Sequence, residues 1–223
     1  MKSIIAISMI LILFEKVFSQ EFTYQPSLKE QLLFGGIEIP VDSSIKVEKR
    51  RLQPANLSFM EKLFWDENGL FRTMGLASPL SPEVRKSELN LRRTMLTAHQ
   101  IGGFVTLGCM ISAVYFGQLN IDGKQGYRTN HRIFVTASII SYSTTGLLAV
   151  LTPPPLIRRD EISTTTVHKT LAFVHFAGMV LTPILGYIVA NSQQDYESKA
   201  RIHQVSAYIT TATLAASLIT ITF

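Results

Sequence analysis

The sequence predicts an all-α membrane protein: an antiparallel four-helix transmembrane bundle, preceded by a signal peptide and a short exported N-terminal segment. Three observations carry that expectation. Four stretches of about twenty apolar residues lie in the second half of the chain, each long enough to cross a hydrocarbon core of about 30 Å. Apolar residues make up 47% of the 223 residues and charged ones 17%, with a mean hydropathy of +0.24, which is too greasy for an ordinary soluble domain. All five histidines fall between His99 and His203, and four of them stand near the starts of those stretches.

Residues 1–19 have the pattern of a secretory signal. Lys2 is the basic n-region, Ile4–Phe14 the apolar core, and Val17 and Ser19 are small enough for positions −3 and −1, so cleavage is placed after Ser19. An uncleaved anchor is the alternative, because Glu15 and Lys16 crowd the cleavage region. Residues 20–80 form the exported segment. Its first part is polar, with Gly35-Gly36 and the charged run Lys46–Arg51, and reads as a linker. Near 57–75 a short amphipathic helix is expected. Ser58 and Glu61 have capping-box spacing ahead of Leu63, Phe64, Leu70, Phe71 and Met74, with Trp65 among them. It would lie on the membrane surface or on the bundle's outer face, with Trp65 near the headgroups, or form a small hydrophobic plug packed against the helices.

The four-helix domain occupies 81–223, with spans at about 95–116, 131–151, 167–190 and 202–221. Ser81-Pro82-Glu83 is a strong helix start, so the first helix projects beyond the membrane before entering it at Met95. Gly117 is expected to end it, leaving a polar loop to Asn130. The second span is rich in hydroxyls, including Ser138, Ser141 and Thr145, and stops at Pro153-Pro154-Pro155. The third carries His168, His175 and Pro183. The fourth starts near His203 and has small residues that permit close approach.

The signal places 20–90 on the exported side, across what reads as a bacterial inner membrane. Arg85, Lys86, Arg92, Arg93, Arg158, Arg159 and Lys169 then lie outside, and Lys124, Arg128, Arg132, Lys199 and Arg201 inside. This distribution runs against the positive-inside rule, and the signal is given precedence. The net charge of +5 belongs to these flanks; no basic–aromatic patch points to nucleic acid. The single cysteine, Cys109, excludes an internal disulfide. No Gly-x-Ser-x-Gly, His-Glu-x-x-His or phosphate loop suggests a hydrolase.

The histidines pair by depth. In an up-and-down bundle His99 and His168 share one face of the membrane, and His131 and His203 the other. A six-coordinate haem needs two imidazoles at similar depth on opposite sides of the ring. The fourth residue after each histidine lies one turn along the same face, where a ring edge would pass. It is Gly103 after His99, Ala172 after His168 and Ala207 after His203, but the bulkier Val135 after His131. His175, about 10.5 Å deeper than His168 along the helix, is followed at that offset by Met179, which favours His168 as the ligand. His175 is then a deeper neighbour, or the ligand in its place.

In His99-x-x-x-Gly103, His168-x-x-x-Ala172 and His203-x-x-x-Ala207 at helix starts, with the His131-headed helix between them, residues 95–221 resemble the cytochrome b561 family of di-haem membrane cytochromes. The resemblance implies two b haems, the outer bound by His99 and His168 and the inner by His131 and His203, with electrons crossing between faces. Propionate partners would be Arg92, Arg93 and Lys169 outside, and Arg132 and Arg201 inside. The donor and acceptor stay open among a quinol, a small reductant and a metal ion, and a homodimer is compatible with the pattern. Two other classes compete: a non-catalytic scaffold or envelope-complex subunit, and a transporter using the same histidines for a metal or protons.

Overall fold

A computed structural model describes residues 52–157 and 163–222, all within the unit Arg50–Phe223. The expected signal peptide, the linker with Lys46–Arg51, and Arg158 and Arg159 lie outside the described residues. Among those described, the regular structure is entirely helical: α1 (Phe59–Trp65), α2 (Leu70–Thr73), α3 (Pro82–Ile121), α4 (Arg128–Val150), α5 (Thr164–Ala190) and α6 (Tyr196–Thr222). The last four are long and apolar enough to cross a membrane.

The expected single helix near 57–75 is two short ones. Ser58 and Glu61 do exchange capping-box bonds at the start of α1. The break follows Asp66. A Cβ on Gly69 would stand 2.7 Å from the Phe64 backbone, so the chain turns where glycine alone fits. Trp65 points inward and is 5% exposed, its indole N–H donating to the Leu151 carbonyl at 3.0 Å. The plug therefore describes Trp65 better than a headgroup position, because a buried indole N–H needs a partner and the end of α4 supplies one. Phe59, Met74 and Leu76 remain exposed on the other side.

Around this plug the start of α3 is tied to the end of α4. Arg85, 1% exposed, bonds Glu88 at 3.0 Å and donates to the Pro154 and Pro155 carbonyls at 2.6 and 2.9 Å. Arg72 of α2 meets the same Glu88 at 2.5 Å, and Arg92 donates to the Pro153 carbonyl at 2.6 Å. The three prolines cannot continue α4; beyond its end the arginines of α3 satisfy the Pro153, Pro154 and Pro155 carbonyls, as Trp65 does that of Leu151.

Gly117 does not end α3, which runs on to Ile121. One interior glycine costs about 1 kcal/mol, too little to stop a helix held by neighbours on both sides. The turn comes at Gly123 and Gly126, with φ of 75° and 91°, where a side chain would be strained. α6 likewise begins at Tyr196, ahead of the expected span.

The bundle buries hydroxyls among its apolar core side chains and turns many large apolar ones outward. Thr106, Thr210 and Ser217 are fully buried, whereas Phe173 and Ile140 are 78% and 62% exposed. Hydrocarbon outside the protein favours that arrangement, and the buried hydroxyls are satisfied within the bundle. Thr106 donates to the Gly102 carbonyl, and Thr210 to the Ser206 carbonyl. α3 packs along α4 and α5 along α6; α3 also touches α6, while α4 and α5 stand further apart.

Candidate functional site

Two histidine pairs face each other across the diagonals of the bundle. His99 of α3 meets His168 of α5, ring centroids 6.1 Å apart and planes at 87°. His131 of α4 meets His203 of α6 at 6.3 Å and 89°. His175 joins neither pair. It lies two turns beyond His168, 7% exposed, its Nδ1 2.8 Å from the Tyr142 hydroxyl.

Each paired ring is held in the same way. Nδ1 of His99 bonds the Thr145 carbonyl at 2.8 Å, that of His131 the Ala113 carbonyl at 2.7 Å, and that of His203 the Thr182 carbonyl at 3.0 Å. Nδ1 of His168 bonds the Ser217 carbonyl at 3.0 Å and lies 2.8 Å from the same residue's hydroxyl. A carbonyl only accepts, so Nδ1 carries the proton in His99, His131 and His203, and in His168 where it donates to the Ser217 carbonyl rather than accepting from that residue's hydroxyl. Nε2 then presents its lone pair, which is the tautomer a metal takes.

The spacing fits a shared metal. Two metal–nitrogen bonds of about 2 Å, each extended by an imidazole radius of roughly 1.1 Å, span about 6 Å. Among the described residues no three His, Cys, Asp or Glu side chains gather, so each pair contributes two imidazoles without a third ligand of those types. That donor set suits a metal whose remaining positions are filled by its own macrocycle.

Space is present at the pair His131/His203. A cavity of about 410 Å³ reaches the rings, lined by Gly117, Gln118, Arg128, Gly186 and Gln204 among others. A smaller apolar one of about 70 Å³, lined by Met110, Val135, Ile139 and Pro183, meets the same two rings, and Ala207 lines both. Two glycines make the rings' approach feasible. A Cβ on Gly117 would be 3.0 Å from the His131 ring, and one on Gly186 3.0 Å from that of His203. Each sits four residues after the carbonyl its histidine bonds, Ala113 and Thr182. The signal for these two was in the sequence, as a glycine one turn past the level of a histidine on the neighbouring helix, but it reads as a helix breaker until the partner is known.

Other expected contacts differ. Gly103 is buried, and the Leu218 side chain occupies the space where its Cβ would project, so it serves α3–α6 packing. Ala172 is half-buried. Arg132 and Arg201 do not line the cavity at His131/His203, whereas Arg128 does. The reason is helical spacing: Arg128 lies three residues before His131 on the same face, while Arg132, the next residue, turns about 100° away. Lys169, adjacent to His168, is exposed for the same reason. Arg92 is bonded to Pro153, and Arg93 lies within 3.5 Å of the Asn90 side chain.

No family model matches this chain, and no curated protein or solved structure resembles it significantly.

Proposed function

We propose that the protein carries electrons across a membrane through two b-type haems, one held by His99 and His168 and the other by His131 and His203. The observation that carries this reading is the repeated arrangement of the four rings. Each is fixed through Nδ1 by a carbonyl of a neighbouring helix, and the rings are paired at about 6 Å with no third His, Cys, Asp or Glu gathered beside them among the described residues. A transported zinc ion would call for three or four protein ligands, so the donor set favours haem. When bound, haem supplies one-electron exchange at its iron.

The chain's own part is positional. The bonded carbonyls fix the rings' rotation, and the lipid-facing side chains keep water from the interior. The four helices run antiparallel, and fourteen residues, about 21 Å of helix, separate the two levels on α3 (His99 to Ala113) and on α5 (His168 to Thr182). The His99/His168 level lies on the exported side, together with α1 and α2. Arg128 is the cation best placed for a carboxylate of the inner haem. The family resemblance agrees with this reading, and the donor and acceptor it leaves open are a quinol, a small reductant or a metal ion.

The test is an absorption spectrum of the purified protein, oxidised and then reduced, with haem counted per chain. Two haems are expected. His131→Leu and His203→Leu should each remove one and leave the other spectrally intact; His99→Leu and His168→Leu should each remove the other one. A parent protein that binds no haem, when haem is plentiful during expression, would sink the proposal and leave the scaffold and transporter readings.

A further inference from the structure

The two helical hairpins, α3–α4 and α5–α6, correspond at the residues that build the two sites. A shift of 69 carries His99 to His168, Ala113 to Thr182 and Gly117 to Gly186, that is, a ring, a carbonyl that bonds a ring, and a glycine beneath a ring. A shift of 72 carries His131 to His203 and Thr145 to Ser217, again a ring and a ring-bonding carbonyl. The bundle is thus a two-fold arrangement of hairpins, with each hairpin giving one ring to each site.

Under that equivalence the seam between α3 and α6 corresponds to the seam between α5 and α4. The first is closed: Leu218 packs on Gly103, and Thr106 and Leu214 are buried at 0% and 5% exposure. Along the second the two backbones stand further apart. The counterpart of Leu218 is Gly146, where a Cβ would meet nothing within 4 Å. The counterparts of Thr106 and Leu214 are His175 and Tyr142, which are bonded to each other across the seam at 2.8 Å. Threonine and leucine serve the fold at the same level of the closed seam, so folding alone does not call for this polar pair in the middle of the membrane, where ionisable side chains are costly.

The seam matters to both sites. α4 supplies the His131 ring to one and the Thr145 carbonyl to the other; α5 supplies the His168 ring and the Thr182 carbonyl in the complementary way. His175 lies seven residues from both His168 and Thr182, midway between the two levels. We propose that the Tyr142–His175 hydrogen bond is a positioning strut that fixes the spacing of α4 and α5, and through it the ring geometry of both histidine pairs at once. The proposal rests on the two-haem reading for its redox consequence but not for its mechanical one. Neither residue is a ligand; both act through the rings they position.

The test uses the full-length protein in lipid nanodiscs. Spin labels replace the exposed Ile140 of α4 and Phe173 of α5, with Cys109→Ala to remove the native thiol. Tyr142→Phe, which keeps the ring and loses the hydroxyl, should broaden the α4–α5 distance distribution. In haem-loaded protein without labels it should shift both midpoint potentials and both ferric low-spin resonances. Tyr142→Leu with His175→Thr copies the residues of the closed seam and should do the same. Thr136→Val, an exposed hydroxyl of α4 bonded only to the Arg132 carbonyl of its own helix, should change none of these. An unchanged distance distribution in Tyr142→Phe would overturn the strut, whether or not haem binds. A response of one haem alone would overturn the coupling of the two sites. Absence of haem from the parent would instead defeat the electron-transfer reading, with the distance measurement still deciding the strut.

Discussion

At the scale of single residues, the sites depend on what is missing as much as on the imidazoles. Gly117 and Gly186 let the His131 and His203 rings lie against a helix backbone, each 3.0 Å from where a Cβ would begin. A longer side chain there has nowhere to go without rotating the ring away from its carbonyl. Gly117→Leu and Gly186→Leu are therefore expected to abolish the inner haem and spare the outer one, measured as one haem per chain. Retention of both haems would show that these glycines are incidental. Arg128→Gln should leave both haems bound but lower the inner haem's potential, since a cation facing the cavity favours the reduced, more negative state. A redox titration in which neither potential moves would remove Arg128 from the site.

At the scale of elements, the plug formed by α1 and α2 is fastened through charge rather than through apolar area alone. Glu88 is shared by Arg72 and Arg85, and Arg85 also holds the Pro154 and Pro155 carbonyls, with the pair's side chains 1% and 5% exposed. Removing one member of such a buried pair costs about 3–5 kcal/mol, because the charge left behind keeps its desolvation penalty without its partner. Arg85→Met is expected to destabilise the protein by about that much in detergent unfolding, whereas exposed Lys86→Met should stay within about 0.5 kcal/mol of the parent. Equal effects of the two substitutions would mean that the cluster holds nothing together.

At the scale of the whole molecule, the charge distribution does not by itself favour the proposed orientation, because setting aside Arg85 and Arg92 leaves five basic residues on each flank. Of the basic residues that burden the exported flank, Arg85 and Arg92 are spent on proline carbonyls at the end of α4. Their presence there follows from the fold and says little about insertion, which depends on cations free to meet the cytoplasmic surface. Cysteines introduced at Met74 and Lys124, on a Cys109→Ala background, should react with a membrane-impermeant maleimide from opposite sides, Met74 from the exported one. Labelling of Lys124→Cys in intact cells would invert the orientation.

Much of this architecture is legible in the chain, and the reasons are local. Four apolar stretches of spanning length, the Ser81-Pro82 start and the proline stop after α4 each depend on a few neighbouring residues, whose solvation and backbone limits act wherever the chain goes. His168 rather than His175 faces His99, as the small Ala172 one turn after His168, against Met179 after His175, led one to expect. Other features depend on residues far apart in sequence. Gly117 looks like a breaker until the His131 ring is seen to need its space, and Gly103 looks like room for a cofactor until Leu218 fills it. Trp65 has no assigned partner until the end of α4 offers a carbonyl. The difference between the two seams belongs to the same class, since Thr106 and His175 become comparable only once the hairpins pack. By itself the sequence determined which apolar segments are helices and where the histidines fall along them, because periodicity and capping are properties of the local chain. Only the tertiary structure decided which carbonyl orients each ring and which cation lines the cavity, because those depend on rotation and spacing between helices.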